Sequence, residues 1–172
     1  MATTVLVIDM DRVLSESAVG QHIQTELSAI AEEIGTELET EETAVRAEVE
    51  TFNTDTEDKT EEEIIADEAL NQRRIEIQNQ LVELGVSQQV KERELAATRN
   101  QALEPVLEAL NDVLDSVVEA RGGDVLLERP MVVYVGENAD ITEAVIAELN
   151  ATMTTVEVER IRLPVAEESS GD

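Results

Sequence analysis

Residues 104–128 read EPVLEALNDVLDSVVEARGGDVLLE, and the order of signals in this run decides the fold. From Leu103 onward, Val106, Leu107, Leu110, Val113, Leu114, Val117 and Val118 recur at helical spacing. The stripe they make is wider than one neighbouring helix can cover, so this stretch enters a core. Pro105 predicts a kink at the point of entry, because it lacks an N–H and crowds the preceding turn. Gly122-Gly123 ends the helix. Residues 124–128 (DVLLE) then open a strand.

Working back from this core, the chain is helical but thinly apolar. A capping-box spacing at Thr60 and Glu63 starts the helix that leads into it. Its apolar positions are Ile64, Ile65, Leu70, Ile75, Ile77, Leu81, Leu84, Val90 and Leu95, with Gly85 a weak point. The polar segment 53–59 (NTDTEDK) breaks the pattern and predicts a turn. Before it, Val19, Ile23, Leu27, Ile30, Ile34, Leu38, Val45, Val49 and Phe52 describe one narrow seam in a helix running to about Thr51. Ser15 or Ser17 is the expected N-cap of that helix. Two such helices, antiparallel about the turn, make a hairpin of roughly 50 Å at 1.5 Å per residue.

The remaining pieces are short. Residues 4–9 (TVLVID) form a β-branched run that predicts a buried strand. Beyond Arg129-Pro130, residues 131–135 (MVVYV) predict a second strand. Asp140 or Thr142 caps a helix over 141–150, with Ile141, Val145, Ile146 and Leu149 on one face. Residues 155–163 (TVEVERIRL) alternate as a half-buried strand, and 164–172 is a polar tail expected to be disordered. The N-terminal strand can meet the C-terminal ones only if the helical arm folds back between them. The fold class is therefore α+β: a small β-rich head from 1–16 plus 104–163, and a long antiparallel helical-hairpin arm from 17–103 with its tip near 53–60. So small a sheet is marginal alone, which predicts that several heads associate.

Composition narrows the function. Twelve Lys plus Arg stand against 40 Asp plus Glu, a net charge of −28 in 172 residues. Such a chain repels nucleic-acid phosphates and anionic lipid, so neither is an expected partner. One Phe, one Tyr and no Trp leave little aromatic mass for a thick core. No Cys is present, which removes disulfides and thiolate metal sites. No signal-peptide pattern precedes the first strand.

Three segments in order, DMDRVLSESAVGQ at 9–21, the quoted run at 104–128, and MVVYVGENADITEAVIAELN at 131–150, resemble the OmpH/Skp family of chaperones. They are similar to its strand-to-helix junction, its returning helix with turn and strand, and the strand, cap and short helix that close its head. The resemblance implies a homotrimer with three helical arms around a cavity that holds unfolded outer-membrane proteins in the periplasm. It implies neither ATP, nor catalysis, nor any cofactor or metal. Members known for binding lipopolysaccharide have basic arms, whereas the tip here, 53–63, sets one Lys against six acids. No lipopolysaccharide site is expected.

Within that frame, Val5, Val7, Val106, Leu110, Leu127, Val133 and Val135 are expected to carry trimerisation in the head. Ile65, Ala66 and Val86 are expected to meet client chains on the arm, by many weak contacts. Against the chaperone stand two other readings. A structural or adaptor coiled coil would bind one folded partner, but the seam lapses between Leu38 and Val45 and again near Gly85. The run Asp9-Met10-Asp11-Arg12-Val13 satisfies a DxDxV phosphatase signature, with Asp9 as nucleophile and Asp11 as acid–base. That chemistry needs repeated βαβ units and a glycine where Arg12 stands. His22 is expected to flank the seam, and the Glu runs to be solvated helix faces.

Overall fold

The computed structural model describes residues 2–164, so residues 165–172 of the expected tail lie outside the described part. In chain order the elements are β1 Val5–Ile8, α1 Met10–Glu16, α2 Ala18–Asp55, α3 Glu61–Ala66, α4 Glu68–Ala120, β2 Val125–Glu128 and α5 Thr142–Thr152. They make two compact units. The first holds the chain up to Ala29 together with Ala97–Arg160; the second holds Ile30–Ala96 and the chain from Ile161.

In the first unit, β1 and β2 pair in parallel, with Val5 opposite Val125 and Ile8 opposite Glu128. A parallel pair cannot be closed by a tight turn, and here the crossover is the whole of α1 to α4. On its other side β1 is held by Ala139 and Ile141: Val7 N–H donates to Ala139 O at 2.8 Å, and Ile141 N–H donates to Val7 O at 2.9 Å. Leu6, Ile8, Val13, Val19, Val106, Leu110, Ile141, Val145 and Leu149 are all but sealed from solvent. The wide stripe of α4 thus closes over β1, α1 and α5. Leu107 on that stripe stays half exposed.

The end of α4 follows from Gly122, whose φ of 62° is left-handed. Gly123 N–H donates to Val118 O at 2.9 Å and Gly122 N–H to Glu119 O at 3.0 Å. These are the two bonds of a Schellman stop. α4 runs through Pro105 as one helix.

Two expectations are corrected and one short helix is added. The added helix is α1, which begins at Met10, where Asp9 caps it by accepting from Arg12 N–H at 3.0 Å. The long helix α2 starts after Ser17, one of its two expected caps, whose Oγ accepts from Gly20 N–H at 3.2 Å. Residues 131–135 form no strand: Pro130 sets a 3-10 turn over Arg129–Met131, and Val133 and Tyr134 project into solvent. β1 is already bonded on both sides, so these residues find no ladder there. Residues 155–163 form no strand either. Their alternation instead packs Val156 and Val158 against the core as an extended strap, with His22 Nε2 2.9 Å from Val156 O.

In the second unit, Lys59 N–H donates to Thr56 O at 3.0 Å to turn the chain after α2. Thr60 and Glu63 form the reciprocal capping box that opens α3. Asp67 interrupts the helix, its Oδ1 accepting from the N–H groups of Ala69 and Leu70 at 3.0 and 3.1 Å. The register of α2 against α4 is antiparallel. Lys91 bonds Glu37 and Glu41, whereas Arg73, nearer the start of α4, bonds Glu48 and Asp55, nearer the end of α2. Ile34, Ile77 and Val90 are buried between them. Ile75 and Leu81, counted among the apolar positions of this helix from sequence, are exposed, as is Ile65 on α3. A helix with one partner buries one stripe, and positions off it stay in water.

Candidate functional site

The DxDxV run lies at the start of α1, which Asp9 caps. Asp9 spends its carboxylate on the cap of α1, and its own N–H donates to Thr142 Oγ1 at 3.0 Å. Arg12 forks onto Glu16 through Nε and Nη2 at 2.9 and 2.8 Å and also reaches Glu143 at 2.5 Å. This pairing holds the Glu16 carboxyl below the usual range and the Arg12 guanidinium above its own. Asp11 is exposed on the outer side of α1. Burial pushes the Asp140 carboxyl up, but bonds from the Thr142 hydroxyl and N–H outweigh it and leave it low. Asp9 and Arg12 thus tie β1, α1 and α5 together, through the Asp9 N–H to Thr142 and the Arg12 guanidinium to Glu143. Among the described residues, no three His, Asp or Glu side chains are grouped to hold a metal.

Of the seven head residues proposed from sequence, Val7, Val106 and Leu110 are consumed by the unit's own core. Leu127 and Val135 are half-buried, Val5 is 43% exposed and Val133 fully exposed. Sequence reasoning passed over their neighbours Met131 and Tyr134, which are 74% and 84% exposed, and Val125 beside Val5. The signal was present: five apolar residues in a row after a Pro, with no polar alternation. On the arm, Ile65 and Ala66 are exposed on α3 and Val86 is half-buried on α4. The structure adds Ile75 and Val82 to the exposed aliphatics.

The arm is laced by its few cations. Lys91, largely shielded, sits 2.8 Å from Glu37 and 3.2 Å from Glu41. Burial alone would lower its pKa, but the two carboxylates outweigh it and raise it. Arg73 bonds Asp55 at 2.6 Å and lies 5.7 Å from the Phe52 ring centroid. Arg162 reaches Glu33 at 3.1 Å, and Leu163 N–H donates to buried Glu94 at 2.9 Å, so the end of the described chain is fastened to this unit too.

The chain matches one family model, outer membrane protein (OmpH-like), over residues 4–149, which takes in the two-strand sheet and the helices between its strands. The chain belongs to the OmpH-like family. A crystal structure of a proposed outer membrane chaperone (OmpH-like) from Caulobacter crescentus CB15 is similar in fold, with a TM-score of 0.79. The two are 28% identical over 95% of this chain and 93% of that one. No curated protein matches the chain. The α+β class with a helical arm is thus the architecture of an OmpH-like protein.

Proposed function

We propose that this OmpH-like protein is an ATP-independent holdase chaperone. It acts as a homotrimer in the periplasm, keeping unfolded outer-membrane proteins from aggregating in a cavity between its helical arms. The observation that carries the reading is the family match across 4–149, joined to the shared fold of the Caulobacter protein.

Physical arguments support the trimer. The sheet has two strands of four residues, fewer than usually stand alone. Beside it Met131, Val133 and Tyr134 carry exposed apolar surface that a lone soluble chain gains nothing by displaying. Val5, Val133 and their neighbours are the contact surface in this reading. Val7, Val106 and Leu110 act behind it, holding β1 and α4 in place. Client retention by exposed aliphatics such as Ile65 needs no nucleotide, because many weak contacts within one enclosure add up to long residence. The −28 charge argues against lipopolysaccharide or anionic membrane as a partner.

Light scattering and an aggregation assay test the reading together. The expected mass is a trimer of the 18.9 kDa chain, and the expected activity is suppressed aggregation of a urea-diluted outer-membrane barrel protein at or below one trimer per client. A trimer without suppression would replace the holdase with an adaptor for one folded partner. A monomer would remove the cavity and the reading with it.

A further inference from the structure

The acidity of this chain is not evenly spread, and the exception lies on the arm. Residues 71–90 of α4 carry two Arg and two Glu, a net charge of zero inside a chain of −28. In their place stand seven side-chain amides. Ile75, Asn79, Val82 and Val86 follow one another at steps of four and three, so they lie along one line of the helix. Asn71 and Gln78 flank that line. Ile77, Leu84 and Lys91, which face α2, lie on the opposite side of the same helix, so the line turns away from the arm's own seam. Ile75 is 39% and Val82 63% exposed, and Gln78 and Asn79 are exposed as well.

Glu76 and Glu83, both exposed, form one rim of this stripe. From Asn71 to Gln89 the stripe spans roughly 27 Å at 1.5 Å per residue. That is the length of roughly eight residues of extended chain. Aliphatics offer burial to apolar side chains, and the amides offer both donors and acceptors to an unpaired backbone. The rim and the field of the whole chain favour positive charge beside them.

We infer that this stripe is a docking surface for extended, non-native polypeptide segments that combine aliphatic side chains with Lys or Arg. The inference rests on the holdase reading and gives its clients a chemistry: this chain selects cationic apolar segments and rejects acidic ones of equal hydrophobicity. A carboxylate-rich arm would otherwise hold every client at a distance, since most described acids of α2 point into water. An uncharged lane lets a client's backbone approach while the flanking acids sort it by charge.

The test uses the full chain and two labelled peptides of equal length and aliphatic content, one carrying Lys and the other Glu, read by fluorescence anisotropy. The Lys peptide is expected to bind at least about tenfold tighter at 50 mM salt, with the gap closing toward 500 mM. The exposed pair Ile75→Ser with Val82→Ser should weaken the Lys peptide about fivefold. Glu76→Lys with Glu83→Lys should shrink or invert the preference. Equal binding of both peptides, or an Ile75→Ser/Val82→Ser protein that binds like wild type while still folding by circular dichroism, overturns the inference. Aggregation suppression separates the two claims. Wild type that suppresses aggregation but fails the peptide test keeps the holdase reading and loses the stripe. Wild type that passes the peptide test but suppresses nothing keeps the stripe and loses the holdase reading.

Discussion

Asp9 and Thr142, at opposite ends of the chain, meet through one hydrogen bond: the Asp9 N–H donates to the Thr142 hydroxyl at 3.0 Å. Thr142 is 1% exposed, so water cannot replace it. The bond fixes the end of β1 to the start of α5, and with it the closure of the head after the long excursion through the arm. Asp140 completes the corner by accepting from Thr142 N–H at 2.9 Å.

Thr142→Val keeps the shape and removes the acceptor, leaving the Asp9 N–H without a partner. The expected loss is about 1–3 kcal/mol, the usual cost of orphaning a buried donor. Thr142→Ser keeps the hydroxyl and should lose less. Urea denaturation of the three proteins checks the order, and a valine variant as stable as wild type would deny the bond any weight.

Gly20 sits where α2 leaves Ser17 and passes the end of α1. A Cβ there would stand 1.7 Å from Leu14 O, a backbone atom with nowhere to go. Gly20→Ala should therefore cost about 3 kcal/mol or more, or prevent folding. Gly85→Ala is the control: it meets nothing within 4 Å. It should be neutral or stabilise the helix by up to about 1 kcal/mol. Thermal melts of both variants separate crowding from a general effect of glycine replacement.

Lys91→Met removes the shared cation between Glu37 and Glu41. Partial shielding makes this pair stronger than an exposed one, yet the expected loss is only about 1 kcal/mol because both carboxylates can recover water. The folded pKa of Lys91 is raised. Its contribution is therefore full below lysine's ordinary value, about 10.4, and lost as pH rises through the raised one. Denaturation midpoints followed from pH 7 into the alkaline range check this: the gap between wild type and variant should hold up to lysine's ordinary value and close only beyond it.

Glu63 accepts from the Thr60 N–H and hydroxyl at 2.8 and 3.0 Å, and these bonds hold its carboxyl below the usual carboxylate range. The advantage of wild type over Glu63→Ala should thus be present above a free glutamate's pKa, about 4.3. It should fade as pH falls through the depressed value. Amide exchange across 60–66, followed from pH 7 downward, reads the effect locally. A gap that persists undiminished in strong acid would deny the ionised Glu63 carboxyl any part in it.

How far the residues alone could be read depended on what each signal required. The Schellman stop at Gly122, the capping box at Thr60 and Glu63, and the face Ile141, Val145, Ile146, Leu149 need only a few neighbouring residues, and each stands where its spacing placed it. Asp9 was harder. After a strand and before Asp11 it reads as a nucleophile, and its part as the cap of α1 shows only in the bond from Arg12 N–H. The exposed arm aliphatics were harder still, since Ile75 fits a seam by count but not by facing.

Sequence by itself determined the two long helices, the caps at Ser17 and Thr60, the stop at Gly122, the great excess of negative charge, and the need for the chain's two ends to meet. All of these are set by local geometry or by composition. Tertiary structure alone decided which apolar residues found partners. Residues 131–135 have the composition of a strand and 155–163 the alternation of one, yet neither became one. A strand exists only where a second backbone offers its hydrogen bonds. β1 had already given one side to β2 and the other to residues 139–141. The same rule left Ile75 and Val82 in water: a helix buries the stripe its neighbour covers, and no pattern along one chain says where that neighbour ends.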